Sequence, residues 1–280
     1  MSYEDANTNV GEADDISSTG DDGTNLTSTE EIDIWADNSE LIKSQVADIV
    51  NNSESLQDEL ADVGELADWY IDKGSLDTQA EMTQTSLWPY VVWDTELNNL
   101  WSRMSDELDA TTKEEVLSEQ RRWVSLKEKA ANLATIENEG GSIRPMLVNI
   151  DLEEYTINRC YKLADIYAKT LNESFTIPEK ESGDLYGVYI DDEGTGEIYS
   201  SLVVNTGYEG DYDITIELYR LCELTGKGTL NANNEIDFES YDGKVKGVVS
   251  CTNNGASFIV SEATDSVVYP EEFYDFELAF

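Results

Sequence analysis

Carboxylates are the commonest groups in this chain that could take part in chemistry. Asp and Glu contribute 60 of the 280 residues and Lys and Arg only 17, which gives a net charge of −43 at pH 7. Two carboxylates at a defined separation in a cleft can hydrolyse a glycoside. Because so many acids would bring some carboxylates together in any fold, an acid pair alone is no evidence of a catalytic site. A hydrolase of cell-wall glycan is therefore the least favoured function.

Histidine is absent from the sequence, which excludes Ser-His-Asp and Cys-His catalysis and histidine-ligated zinc sites. Cys160, Cys222 and Cys251 form no CxxC pair, so no zinc-ribbon or thioredoxin motif is present. Their odd number leaves at least one free thiol, and a Cys222–Cys251 bridge stays open. The acidic run at 191–194 lacks the alternating ligands of a calcium-binding EF-hand loop. We therefore predict no cofactor, no metal site and no enzymatic activity.

The negative charge also limits the partners that the protein can bind. It repels nucleic-acid backbones and anionic membrane surfaces and attracts cationic proteins or metal cations. The sequence has no apolar run of the roughly 18 residues that could span a bilayer, so we predict no transmembrane segment. The first residues lack the basic and apolar regions of a signal peptide. The protein is therefore either cytosolic or an exported protein whose signal has been removed.

Three segments differ in composition and in the period of their apolar residues. Residues 1–30 carry acids but no base, because the first basic residue is Lys43, and this composition predicts a disordered acidic linker. A helical period over 31–175 predicts a bundle of four or five helices. Near Pro178 the period changes to two, and residues 183–280 are predicted to form a small antiparallel β-barrel or sandwich. The expected fold class is α+β, with several domains.

Local signals mark the ends of several elements. Thr111 and Thr112, followed by two glutamates, predict the N-cap of a helix. Pro89 is expected to kink or to start a helix. Asp242-Gly243, between two alternating runs, is the strongest signal of a β-hairpin.

Trp123 and the arginines around it form the densest cluster in the helical segment. We predict that Trp123 fills the core of the bundle, where its indole N–H needs an acceptor. Arg121, Arg122 and Arg159 are predicted to pair with acids on a neighbouring helix. This structural interpretation is favoured over a binding hot spot.

Four motifs follow one another along the helical segment. They are a helix start Asp94-x-Glu96-Leu97-Asn98, a helix with Gln120-Arg121-x-Trp123, a loop with Gly140-Gly141 and a helix with Thr156-x-x-Arg159. None is specific alone, but their order and spacing over roughly 75–170 resemble the LprI-type lysozyme-inhibitor domain. The resemblance implies that these residues are mainly structural and that none of them is catalytic.

The sequence departs from the family pattern at two places. Many members carry cysteines after the Gln-Arg-x-Trp helix and before the Thr-x-x-Arg helix, whereas 127–131 and 148–152 contain none here. Versions from Gram-positive bacteria also lack these cysteines, and they are often lipoproteins. The resemblance therefore implies an extracellular, cell-surface lipoprotein, its lipid anchor lost with the signal peptide, that binds a basic lysozyme-like protein. The strands of 183–280 also resemble calycin-like barrels.

An alternative function belongs to another class of protein. In it the β-barrel is a surface ligand-binding module for a small apolar or glycan ligand, and the helical bundle is a spacer or interaction domain. Space inside a barrel lined by Tyr, Phe and Val would favour this alternative. A filled interior would favour the inhibitor.

Overall fold

The computed structural model describes residues 32–74, 76–178, 185–192, 196–207 and 211–280. The linker predicted over 1–30 lies outside these residues. Helices occupy the first part of the described chain and antiparallel strands the second, and both belong to one unit that spans 34–280. The predicted α+β class is confirmed, while the division into separate domains at 175–183 stays a prediction.

The described residues contain six α-helices, more than the four or five predicted. They are α1 Ser39–Asn52, α2 Leu56–Lys73, α3 Gln79–Thr85, α4 Leu87–Glu107, α5 Ala110–Ala134 and α6 Arg144–Leu171. α4 packs along α6, α1 and α2 pack on α4, and α5 packs on α6. Apolar side chains on the facing stripes, such as Leu100 of α4 and Leu163 of α6, are completely buried. The predicted helical bundle is therefore confirmed.

The start of α5 corrects the predicted cap. Asp109 is the N-cap, and its Oδ1 accepts hydrogen bonds from the backbone N–H groups of Thr111 (2.9 Å) and Thr112 (3.2 Å). A carboxylate also interacts favourably with the positive end of the helix dipole. The two threonines therefore lie inside the first turn, and the prediction that they cap the helix is wrong.

The start of α4 corrects a second expectation. The helix begins at Leu87, and Pro89 lies in its first turn, where the missing N–H of proline leaves no helical hydrogen bond unmade. Pro89 therefore lies at the start of a helix, which is one of the two roles predicted for it. Asp94 to Asn98 lie in the middle of α4, so the prediction that a helix starts there is wrong.

The second part of the described chain folds into nine antiparallel strands. They are β1 Gly187–Asp192, β2 Tyr199–Thr206, β3 Tyr212–Leu218, β4 Cys222–Leu230, β5 Ile236–Ser240, β6 Val245–Thr252, β7 Gly255–Ala263, β8 Phe273–Phe276 and β9 Leu278–Ala279. Asp242-Gly243 forms the predicted hairpin between β5 and β6. There Gly243 has a φ of 69° and donates its N–H to the carbonyl of Ser240 at 2.8 Å, and a positive φ is what glycine permits without strain.

The sheet closes on itself through its last two strands. The strand order is β8-β7-β6-β5-β4-β3-β2-β1-β9, so β8 and β9, separated by Glu277 alone, lie at opposite edges. β8 pairs with β7, with Phe276 opposite Ala256, and β9 pairs with β1, with Leu278 opposite Ile190. One continuous segment therefore bridges both edges and produces a nearly closed barrel, which confirms the predicted barrel-like β part.

The helices meet the barrel where α5 packs on β1. The ring of Trp123 on α5 stacks on Phe280, with centroids 6.4 Å apart. Gly196, between β1 and β2, lies so close to α5 that a Cβ there would be 2.7 Å from Ser125 Oγ. The contact between the two parts is therefore made by backbone as well as by side chains.

Candidate interaction surface

An open apolar groove lies where α2 ends, α3 crosses and α4 and α6 begin. It has a volume of about 340 Å³ and is lined by Ile71, Gly74, Leu76, Met82, Thr85, Ser86, Pro89, Met146, Ile150 and Glu153. We call it the α3 groove. Leu76 is 85% exposed, Ile71 53% and Ile150 44%. Adjoining exposed apolar side chains on a surface otherwise rich in charge are typical of an interaction site.

Hydrogen bonds hold the walls of the α3 groove in place. Thr78 caps α3, since its Oγ1 accepts the backbone N–H of Glu81 at 3.2 Å. Asn149 of α6 donates from Nδ2 to the carbonyl of Thr83 at 3.1 Å and to Ser86 Oγ at 3.0 Å. Because these bonds fix α3 against α6, the groove is formed before any partner arrives.

One edge of the α3 groove is acidic. Glu153 lies one helical turn after Ile150 on α6, and Asp68 lies one turn before Ile71 on α2. Burial, followed by the charges of Asp68 and Glu154, raises the pKa of Glu153 to about 7. None of the ion pairs formed within the described part of the chain involves Glu153 or Asp68.

We call the residues of the four motifs that resemble the LprI-type domain the family-motif residues. Of these, Glu96 and Leu97 lie in the helical core. Glu96 is 0% exposed, and its Oε1 is 3.3 Å from Nη2 of Arg103, whose two terminal nitrogens both donate to Glu59. Burial, followed by the hydrogen bond to Glu59 and its charge, raises the pKa of Glu96 to about 9. Glu96 is therefore protonated at neutral pH, and a carboxyl pair enclosed in this way cannot contact a glycan.

Asp94 and Asn98 lie nearer the surface of the same helix. Oδ1 of Asp94 accepts a hydrogen bond from Lys127 of α5 at 3.0 Å, and Lys127 also donates to the hydroxyl of Tyr90 at 2.8 Å. Asn98 is exposed and donates from Nδ2 to the carbonyl of Asp94 at 2.6 Å. Asp94 thus connects α4 to α5, whereas the hydrogen bonds that Asn98 forms among the described residues stay within α4.

Gln120 and Arg159 meet at the contact between α5 and α6, and Thr156 lies one turn before Arg159 on α6. The buried Arg159 donates from Nε to Oε1 of Gln120 and from Nη1 to Oε1 of Glu119, both at 2.6 Å. The predicted pairing of Arg159 with an acid on a neighbouring helix is confirmed. Thr156 is buried and donates to the carbonyl of Leu152 at 2.6 Å. The bonds of Arg159 hold α5 against α6, whereas the bond of Thr156 lies within α6.

The adjacent arginines of α5 have different environments. Arg121 is exposed and forms no ion pair within the described residues. Arg122 donates from Nε (2.9 Å) and Nη2 (2.7 Å) to Oδ1 of Asp192 at the end of β1, whose Oδ2 accepts the N–H of Gly196. The prediction that these two arginines pair with acids on a neighbouring helix is therefore wrong, because Arg122 binds an acid of the barrel and Arg121 is exposed to solvent.

Asp192 is the contact residue that sequence reasoning missed. Its side chain is completely buried, and in the sequence it belongs to an acidic run interpreted as a hairpin tip. The available signal was its place on the same face of β1 as the apolar Val188 and Ile190, which are buried, since an acid on a buried face needs a partner.

The remaining family-motif residues are Trp123, on α5, and Gly140 and Gly141, in the loop before α6. Trp123 is buried, as predicted, and Phe280 covers one face of its ring. Gly140, with a φ of 76°, and Gly141 are exposed in the loop between a 3-10 turn and α6. None of the family-motif residues lines the α3 groove.

The interior of the barrel is filled by its own side chains. Phe238, Phe258 and Phe276 are at most 2% exposed, within a cluster of inward-facing apolar residues. A Cβ on the strand residue Gly228 would lie 2.2 Å from Ile236. Close packing of the interior at these positions does not favour the alternative of a ligand-binding barrel.

Other candidate sites are not found in the described part of the chain. Cys222 and Cys251 are not joined by a disulfide bridge. Within the same residues, no group of three or more Cys, Asp or Glu side chains is placed to hold a metal ion. None of the described helices has the length and apolarity needed to cross a membrane.

Comparison with known proteins finds a family for the helical segment. Neither the curated proteins nor the solved structures provide a match for this chain. The family model described as Lysozyme inhibitor LprI matches residues 72–163, about a third of the chain. This segment includes α3, α4, α5 and most of α6. The LprI resemblance read from the four motifs is therefore confirmed for residues 72–163.

Proposed function

We propose that this protein is a non-enzymatic protein that binds and inhibits a cationic lysozyme-like hydrolase. The observation that carries the proposal is the match of residues 72–163 to the lysozyme-inhibitor family LprI. The matched segment supplies all of the α3 groove except Ile71. The part of the chain that is similar to the family thus presents a preformed apolar surface.

The charge of the chain supports the same proposal. A net charge of −43 attracts a basic hydrolase and accelerates their encounter, most strongly at low salt. Attraction by net charge does not block a cleft, however. Inhibition requires a shaped contact with apolar surface at its centre, and such a contact persists when salt screens the charges.

The proposed target determines where the protein acts. A lysozyme-like hydrolase attacks cell-wall glycan outside the cytoplasm, so an inhibitor protects the cell from outside it. We propose that this protein acts at the cell surface, held by a lipid anchor as in Gram-positive lipoproteins of this type.

Binding at two salt concentrations tests the proposal. The full chain would be titrated with a basic c-type lysozyme by isothermal calorimetry at 0.15 M and 0.5 M NaCl, where the Debye length falls from about 8 Å to roughly 4 Å. We expect the dissociation constant to rise by less than about tenfold. Polyglutamate of similar charge is the control, and it should lose its binding at the higher salt. A protein that loses binding as polyglutamate does is not an inhibitor.

A further inference from the structure

The α3 groove has the properties of a protein-docking surface. Its apolar residues Leu76, Ile71 and Ile150 are 85%, 53% and 44% exposed around a cavity of about 340 Å³. Asn149 and the Thr78 cap hold its walls. Binding there would bury apolar surface without first ordering the groove.

The acidic edge of the α3 groove indicates that its occupant carries a positive charge at this place. Glu153 is partly buried beside Asp68 and Glu154, with no ion-pair partner among the described residues. Buried carboxylates are normally paired, because a desolvated charge without a partner is costly. A Lys or Arg brought in by a partner would stabilise the charged form of Glu153 through a charge-assisted hydrogen bond.

Two other occupants are disfavoured by the same charges. A second copy of this chain would bring 60 acids against 17 bases to an acidic edge. Residues 1–30 of the chain itself contain acids and no base. Like charges placed at a desolvated edge repel each other, so the occupant is a different, basic protein.

We infer that the α3 groove is the face on which the cationic hydrolase docks, with an apolar side chain of the hydrolase in the groove and a Lys or Arg beside it at Glu153. The inference rests on the proposed function and adds the binding face to it. It also explains why the family-motif residues, which hold the helices together, do not themselves form the contact.

Exposed positions allow a test with matched controls. In the full chain, the double variant Leu76→Ser/Ile150→Ser should weaken lysozyme binding at 0.15 M salt by at least about tenfold, since truncating the central apolar contacts of an interface costs most of the affinity. Ile259→Ser on the outside of β7 is the matched control, because Ile259 is 45% exposed, and it should bind as the wild type does. Glu153→Gln should weaken binding about threefold or more and reduce its salt dependence.

A second measurement uses the wild-type chain, so it does not depend on the folding of a variant. Met82 and Met146 line the α3 groove, whereas Met104 is buried in the helical core. Added lysozyme should slow the oxidation of Met82 and Met146 by peroxide several-fold, which mass spectrometry follows, and should leave Met104 unaffected.

The outcomes separate the two proposals. If wild-type protein does not bind lysozyme, the proposed function fails and the docking face fails with it. If wild-type protein binds, but neither the groove variants nor the oxidation of Met82 and Met146 responds, the docking face alone is wrong. A dimer of the wild type that Leu76→Ser/Ile150→Ser dissociates, seen by light scattering, would also overturn it, because the occupant would then be a second copy.

Discussion

At the scale of single residues, this acidic protein uses its few cations to hold buried carboxylates. Arg103 bridges Glu59 and Glu96 inside the helical bundle, and Arg122 holds Asp192 at the barrel. Glu96 shares its cation with Glu59, and its pKa is raised from 4.5 to about 9 by burial and by Glu59. An acid that is neutral when folded and charged when unfolded makes stability depend on pH.

The first prediction concerns Glu96→Gln. Since its folded pKa lies above the unfolded value, the contribution of Glu96 to stability is complete below pH 4.5 and is lost as the pH rises towards 9. The slope is at most about 1.4 kcal/mol per pH unit for one proton. We expect wild-type protein to lose at least about 2 kcal/mol more than Glu96→Gln between pH 5 and pH 8.5, measured by urea unfolding.

The control for this prediction is Glu65→Gln, at an exposed position on α2, which should keep the wild-type pH profile. If the stability profiles of Glu96→Gln and wild type run parallel between these pH values, Glu96 does not carry a proton in the folded protein.

At the scale of elements, the strands were easier to predict than the helix contacts. Short alternating runs ended by glycine and asparagine define strands locally, and Asp242-Gly243 lies at the predicted hairpin. The short helix α3 and its groove were not predicted, because residues 71–89 build the groove together with residues 146–153, which lie far away in the sequence. The partner of Arg122 was mispredicted for the same reason, since nothing near it in sequence indicates that α5 packs on β1. The family resemblance could be read from motifs because they occur in order along one segment.

The second prediction tests the contact between α5 and β1. Arg122→Ala leaves the completely buried Asp192 without its cation and should lower the free energy of unfolding by about 2 kcal/mol. This value is below that of a fully buried pair, because Arg122 is partly exposed. The neighbouring Arg121→Ala is the matched control, and since Arg121 is exposed its effect should be within about 0.5 kcal/mol.

Chemical unfolding of both variants measures these changes in the free energy of unfolding. Equal and small effects of the two substitutions would mean that the Arg122–Asp192 pair does not hold the helices to the barrel. A much larger effect of Arg121→Ala would mean that the wrong arginine has been assigned to the contact.

At the scale of the whole molecule, acids far outnumber bases. Arg103, Arg122, Lys127 and Arg159 each bind carboxylates within the fold, and the other 13 of the 17 basic residues face a large excess of the 60 acids. The protein therefore presents a strongly negative surface with one preformed apolar groove in its LprI-type segment. Binding to a basic hydrolase requires both features. The negative charge accelerates the encounter, and the apolar contact keeps the complex bound when salt screens the charges.

Hydrolysis by a basic c-type lysozyme in 0.5 M salt is the most direct test of the proposed inhibition. A soluble, uncharged chitooligosaccharide is the substrate, so that salt does not alter its attraction to the enzyme. We predict that increasing amounts of the full chain abolish hydrolysis as the protein approaches and passes the enzyme concentration. An undiminished rate in a large excess of the protein would contradict the proposal that this chain is a lysozyme inhibitor.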